Sequence, residues 1–207
     1  KNQKYFKRNL MPGMLGWFSM KPETSVEDIE WLLARSAAFD AGFAFVTNYE
    51  TLERNGNTEK ILSLIGAWER IRMEDRFSEA QKERMADISR EFTLENIHER
   101  EWSLQEVFSG KFKHEMKVRQ PGEPLYSVFE YENKGAEQTL QFIISAVGAN
   151  VSDIILEKDH HKSIALAARL KKGQIIKYEG GGQALVYDKN WQLLSTFEVN
   201  ADDFKIS

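Results

Sequence analysis

Four uninterrupted apolar residues, Phe43 to Val46, stand between two stretches of helical periodicity, and no other feature restricts the fold as strongly. So short and apolar a run suits a strand covered on both faces, as strands of parallel sheets are. An earlier apolar segment, Leu10 to Met20, is broken by Pro12, Gly13 and Gly16, which leaves Met14 to Ser19 as a second strand. Thr24-x-x-Glu27 has the form of a capping box and opens the helix between them. Val26, Ile29, Leu33 and Ala37 fall on one face of that helix, widened by Leu32 and Phe39. Asp40-Ala41-Gly42 closes it, with Gly42 able to take the left-handed conformation of a helix end.

Asn48 to Asn57 reads as a polar loop, with a turn at Asn55-Gly56-Asn57. A second helix is predicted from Thr58 to Asp75, carrying Ile61, Leu64, Ile65, Trp68 and Ile71 on one side. Ser78-x-x-Gln81 caps a short charged helix to Ile88, a connector. The order βαβα is the repeating unit of a parallel sheet, whose sites gather in the loops after the strands. Two strands do not make a stable parallel sheet by themselves. Either later strands of this chain complete it or upstream ones do. The chain starts at Lys1 without a methionine, and the missing strands are expected upstream.

Near Arg90 the hydrophobic period changes from 3.6 to 2. Short strands are predicted at Glu91–His98, Glu101–Phe108, Phe112–Val118, Leu125–Glu132 and Gln138–Ala146. Others follow at Val151–Glu157, Ser163–Leu170, Gln174–Tyr178, Gln183–Tyr187 and Gln192–Val199, the last two joined by Asp188-Lys189-Asn190. Nine or ten short strands separated by turns argue for an antiparallel β-sandwich. The fold class expected is therefore α/β plus all-β: residues 1–90 form a partial (β/α) barrel-like segment, and residues 91–207 a β-sandwich.

Composition narrows the function classes. A net charge of −4 gives no basic footprint for nucleic acid. No apolar run reaches the roughly 20 residues of a membrane span. The 207 residues contain no cysteine, so disulfides, thiolate metal sites and cysteine nucleophiles are excluded within them. His160 and His161 follow Glu157 and Asp159, but adjacent residues on a strand point to opposite faces, so a charged turn explains them better than a metal site. Gly180-Gly181-Gly182 lacks the lysine and helix of a phosphate loop and reads as a tight turn or bulge. No metal or cofactor is expected.

The loops after the two parallel strands offer Trp17, Phe18 and Ser19, then Thr47, Asn48, Tyr49 and Glu50. A carboxylate, an amide and aromatic rings on one rim suit a sugar, because aromatic faces stack on pyranose C–H groups and carboxylates act on glycosidic bonds. Trp17, Asn48 and Glu50 are the candidate substrate-binding residues. Glycosidic hydrolysis needs a pair of carboxylates, and no second one stands at the end of the first strand, so no catalytic residue is assigned. Trp102, Tyr126, Tyr178 and Trp191 are candidates for a sugar groove in the second half.

Gly13 to Phe18 (GMLGWF) and Ser25 to Phe45 (SVEDIEWLLARSAAFDAGFAF) resemble the last two βα units of TIM-barrel glycoside hydrolase-like proteins of Bacteroidetes, and Ala184 to Trp191 (ALVYDKNW) is similar to the β-sandwich that follows such barrels. The resemblance implies the carboxy-terminal portion of an exported, periplasmic or extracellular polysaccharide-processing protein. It implies carbohydrate as the partner and an accessory sandwich domain. Many such barrels carry a carboxylate at the end of the seventh strand, whereas Leu15 to Met20 has none; the resemblance therefore implies no activity in this chain alone. Two alternatives come from other classes. One is a non-catalytic carbohydrate-binding or cell-surface module using an exposed aromatic platform. The other is self-association through the open edge of the two-stranded array.

Overall fold

The computed structural model describes residues 13–98, 101–115, 120–158, 162–199 and 205–206. The chain is mixed helix and sheet, with several antiparallel sheets and no closed barrel among the described residues.

Strand β1 (Gly13–Ser19) lies parallel to β2 (Ala41–Val46), in the register Trp17↔Ala44, Phe18↔Phe45 and Ser19↔Val46. Between them runs α1 (Val26–Phe39). Its cap differs by one position from expectation: Ser25 Oγ accepts from the Asp28 amide and Asp28 Oδ2 accepts from the Ser25 amide. Thr24 instead closes the preceding turn, its Oγ1 accepting from the Lys21 amide at 2.8 Å. At the other end Asp40, not Gly42, takes the left-handed conformation (φ 45°), and Gly42 is already in β2.

The segment expected to be a loop contains α2 (Tyr49–Arg54), for which Asn48 is the cap. Helix α3 (Thr58–Met73) and the short α4 (Glu79–Met85) follow, the latter with the expected Ser78–Gln81 capping box but ending three residues before Ile88. The stripe Val26, Ile29, Leu33 and Ala37 of α1 is buried against Ile61, Leu64, Trp68 and Ile71 of α3. Burying each of the larger chains fully contributes about 1.5–3 kcal/mol.

Strands β3 (Glu91–His98) and β4 (Glu101–Val107) form an antiparallel hairpin. Phe92 and Leu94 belong to the same core as the helices, so hydrophobic packing runs continuously across residue 90.

The side chains of β1 and β2 explain why the pair holds. Phe18 and Phe45 stack at 6.2 Å and join Phe43 on the helical core. Alternation turns Trp17, Ser19, Ala44 and Val46 the other way. That face was expected to be covered. Instead Trp17 is 80 % exposed, and Val46 and Met14 are exposed as well. Among the described residues no third strand joins the pair.

Downstream, β6 (Phe142–Ser145), β9 (Ile175–Tyr178), β10 (Gln183–Tyr187) and β11 (Leu193–Glu198) make a four-stranded antiparallel sheet in the order β11-β10-β9-β6. Two smaller pairs flank it: β5 (Gln138–Thr139) with β12 (Lys205–Ile206), and β7 (Ile155–Lys158) with β8 (Lys162–Ala165). Leu170, Ile176, Tyr178 and Ala184 form a second core. Gly180 to Gly182 all have φ near +85° and turn β9 into β10, a conformation that glycine adopts without strain.

The strands expected over Phe112–Val118 and Leu125–Glu132 are absent from the described parts of those segments; residues 116–119 lie outside them. Phe112 nevertheless stacks on Phe129 at 5.2 Å, His114 Nδ1 meets Ser127 Oγ at 2.7 Å, and the Tyr131 hydroxyl donates to the Phe108 carbonyl. The two arms therefore run antiparallel through side-chain contacts rather than a backbone ladder. Leu125, Tyr126 and Val128 stay exposed, with no core beneath to fix a pleat.

Candidate functional site

The carboxy-terminal ends of β1 and β2 define a rim, and the structure brings the three predicted site residues to that end of the sheet. Trp17 stands on the exposed face, two residues from the end of β1. Asn48 and Glu50 begin the segment after β2. Asn48 Oδ1 accepts from the Thr51 amide at 2.9 Å, so this side chain is engaged in starting α2. Glu50 occupies the first turn of α2, where the helix dipole favours an anion, and accepts from Arg54 Nη1 at 3.0 Å. Its side chain is 76 % exposed and available to solute. Tyr49, beside it, is also exposed. Trp17, Tyr49 and Glu50 are thus each exposed at this end of the sheet.

The outer part of the same rim is held by contacts that the sequence did not reveal. The turn between β10 and β11 inserts Trp191, which is only 7 % exposed, against the loops after β1 and α2. Trp191 Nε1 donates to the Glu23 carbonyl at 3.0 Å, the Gly56 amide to the Asn190 carbonyl at 2.8 Å, and Gln192 Nε2 to the Arg54 carbonyl at 3.0 Å. Buried Asn55 ties the two loops together by donating Nδ2 to the Thr24 carbonyl at 2.8 Å and the Lys21 carbonyl at 3.2 Å. Below the turn, Lys177 Nζ lies 2.7 Å from Glu27 and 3.0 Å from Glu179. Burial depresses the Lys177 pKa, but the two carboxylates more than reverse it, so the ammonium ends above its ordinary range.

Gly56 records how close this approach is. A Cβ on it would stand 2.0 Å from the Trp191 carbonyl oxygen. The turn signals Asn55-Gly56-Asn57 and Asp188-Lys189-Asn190 were legible separately, but nothing local to either stated that they meet.

The four aromatic residues proposed for a second groove do not share one. Trp102 is packed on the first core, Tyr178 is buried in the second, and Trp191 fills the junction. Tyr126 alone is widely exposed, on the irregular arm. His160 and His161 lie outside the described residues, and within these no three acidic or histidine side chains converge on a metal-binding position. No described helix is long and apolar enough to cross a membrane.

Two surface cavities lie elsewhere. One of about 480 Å³ sits between α1 and the hairpin β3–β4, and one of about 380 Å³ lies beside α4; Trp17, Asn48 and Glu50 line neither. The sequence matches no protein-family model, and no match was found among curated proteins or solved structures.

Proposed function

We propose that this chain is the carboxy-terminal, sugar-contacting portion of an exported glycoside hydrolase-like protein that processes polysaccharide, and that it is not catalytic alone. In this reading β1-α1-β2-α3 belongs to a partial (β/α) barrel, the antiparallel strands form an accessory sandwich, and the protein acts in the periplasm or outside the cell. The observation that carries it is the exposed Trp17 at the strand end, on the face opposite the helices. In barrels of this type the face away from the helices is the interior, and the strand ends carry the site. Trp17 supplies a stacking surface and Glu50 an acceptor for sugar hydroxyls. No catalytic pair of carboxylates is assigned at the rim, so hydrolysis by the two-carboxylate route is not expected of this chain alone.

Calorimetric titration with neutral oligosaccharides, paired with a hydrolysis assay, tests this. Binding that weakens in Trp17→Ala and Glu50→Gln, without release of reducing ends, is the expected outcome. Turnover by the chain alone, or affinity indifferent to both substitutions, refutes it. An accessory binding module is the second reading, favoured only by exposed Tyr126; it requires Tyr126→Ala to abolish binding while Trp17→Ala does not. Self-association through the open side of β1–β2 requires a dimer in sedimentation equilibrium that Trp17→Lys dissolves.

A further inference from the structure

The cavity between α1 and the β3–β4 hairpin is made by three separate parts of the chain. Glu27, Asp28 and Trp31 come from α1, Ser89 and Glu91 from the approach to β3 and its first residue, and Lys111 from the segment after β4. Its volume of about 480 Å³ falls in the range of small-molecule sites, roughly 300–1,000 Å³.

Trp31 is fixed in place. Its Nε1 donates to the Ile88 carbonyl at 3.3 Å, and one ring face is covered by the Arg35 guanidinium, whose carbon lies 4.9 Å from the ring centroid. Trp31 is still 39 % exposed, and it lines the cavity. Arg35 is 3 % exposed and donates Nη2 to the carbonyl of Arg90, between cavity residues Ser89 and Glu91, while its Nε and Nη1 have no partner. A buried cation with two unspent donors thus backs the aromatic wall, a feature that ordinary core packing avoids.

The polar rim is rich in acceptors and disfavours anions. Glu91 is paired with Lys111 at 2.5 Å and accepts from Ser109 Oγ at 2.8 Å. Glu27 is paired with Lys177. Asp28 lies in the first turn of α1, where the positive end of the helix offsets its charge. All three carboxylates keep oxygen lone pairs that accept hydrogen bonds, and Lys111 donates, while the hydroxyl proton of Ser89 is given to Asp87 Oδ1.

A rigid aromatic surface ringed by carboxylate acceptors fits an uncharged, polyhydroxylated ring whose hydroxyls donate to them. We infer that this cavity binds one neutral sugar unit, at a position separate from the Trp17 rim. The ligand class rests on the carbohydrate reading above; the place of the site does not.

The test titrates cellohexaose, xylohexaose, mannohexaose and maltohexaose against the wild-type chain, Trp31→Ala, Ser89→Trp and Trp17→Ala, following calorimetric heat. Trigalacturonate and trilysine serve as charged probes. Ser89→Trp adds bulk at an exposed lining position and guards against misfolding of Trp31→Ala. The expected result is one neutral hexaose whose affinity falls at least about tenfold in both cavity variants and survives in part in Trp17→Ala. Binding unchanged in both cavity variants but lost in Trp17→Ala overturns the cavity site and leaves the rim standing. Response to no hexaose, or only to a charged probe, also overturns it.

Discussion

Glu30 joins three elements of the helical half, and removing it has a calculable effect. It is buried on α1, where Oε1 accepts from the Leu94 amide at 3.0 Å and from Trp68 Nε1 at 3.4 Å, and Oε2 from Thr93 Oγ1 at 2.8 Å. The carboxylate therefore fastens β3 to both α1 and α3. In Glu30→Ala the Leu94 amide and Trp68 indole lose their acceptor. An orphaned buried donor costs about 1–3 kcal/mol, and the longer Trp68 bond contributes least, so the total expected is about 2–4 kcal/mol. With a urea slope of about 2 kcal/mol/M, the midpoint falls by about 1–2 M. Glu30→Gln keeps one acceptor oxygen, and its new amide meets the Thr93 hydroxyl, which can accept; a change within about 1 kcal/mol is expected.

The two variants also separate by pH. Burial raises the Glu30 pKa above its ordinary 4.5, partly opposed by the bonds from Leu94, Thr93 and Trp68. The folded state consequently binds this proton more tightly than the unfolded state. Its contribution to stability is fully present below the unfolded pKa and is lost as pH rises through the folded value. Relative to Glu30→Gln, wild-type stability should fall with increasing pH above 4.5. Urea unfolding followed by tryptophan fluorescence across pH measures both effects. Glu30→Ala within about 0.5 kcal/mol of wild type, or a flat wild-type-minus-Gln difference, would refute the reasoning.

Gly56→Ala places a methyl group 2.0 Å from the Trp191 carbonyl oxygen, so the rim and the β10–β11 turn must part; about 1–3 kcal/mol of destabilisation and faster proteolysis near residue 190 are expected. Trp191→Ala should cost about 3–5 kcal/mol in thermal or urea unfolding. Ser25→Ala removes the α1 cap and costs about 0.5–2 kcal/mol in the same assay. Glu50→Gln touches only an exposed ion pair and should leave stability within about 1 kcal/mol, so a loss of sugar affinity in that variant reports on contact rather than folding.

What the sequence made legible was what local pattern determines. The α1 stripe, the α3 stripe, the Ser78 capping box and the β3–β4 hairpin each follow from residue spacing, and each is present. The α1 cap was displaced by one residue because Thr24 and Ser25 both offer a hydroxyl, and their choice depends on the turn at Lys21. Asp40 took the left-handed position expected of Gly42 because β2 begins at Ala41 and already includes Gly42. Alternation alone did not make strands of the arms at Phe112 and Leu125, where no buried face rewards pairing. The ends of β1 and β2 were placed closely because strand ends follow from local pattern. The Trp191 plug and the Trp31 cavity were not legible, since each joins segments far apart in sequence and depends on tertiary approach.

The most direct test is the indole region of a ¹⁵N-correlated NMR spectrum. The chain has five tryptophans, and Trp17→Phe identifies the Trp17 resonance. Adding the neutral hexaoses one at a time should shift the Trp17 indole signal saturably with at least one of them, while the buried Trp68 stays in place. A Trp17 signal that no oligosaccharide moves, at concentrations where any other indole responds or none does, contradicts a sugar-contacting rim.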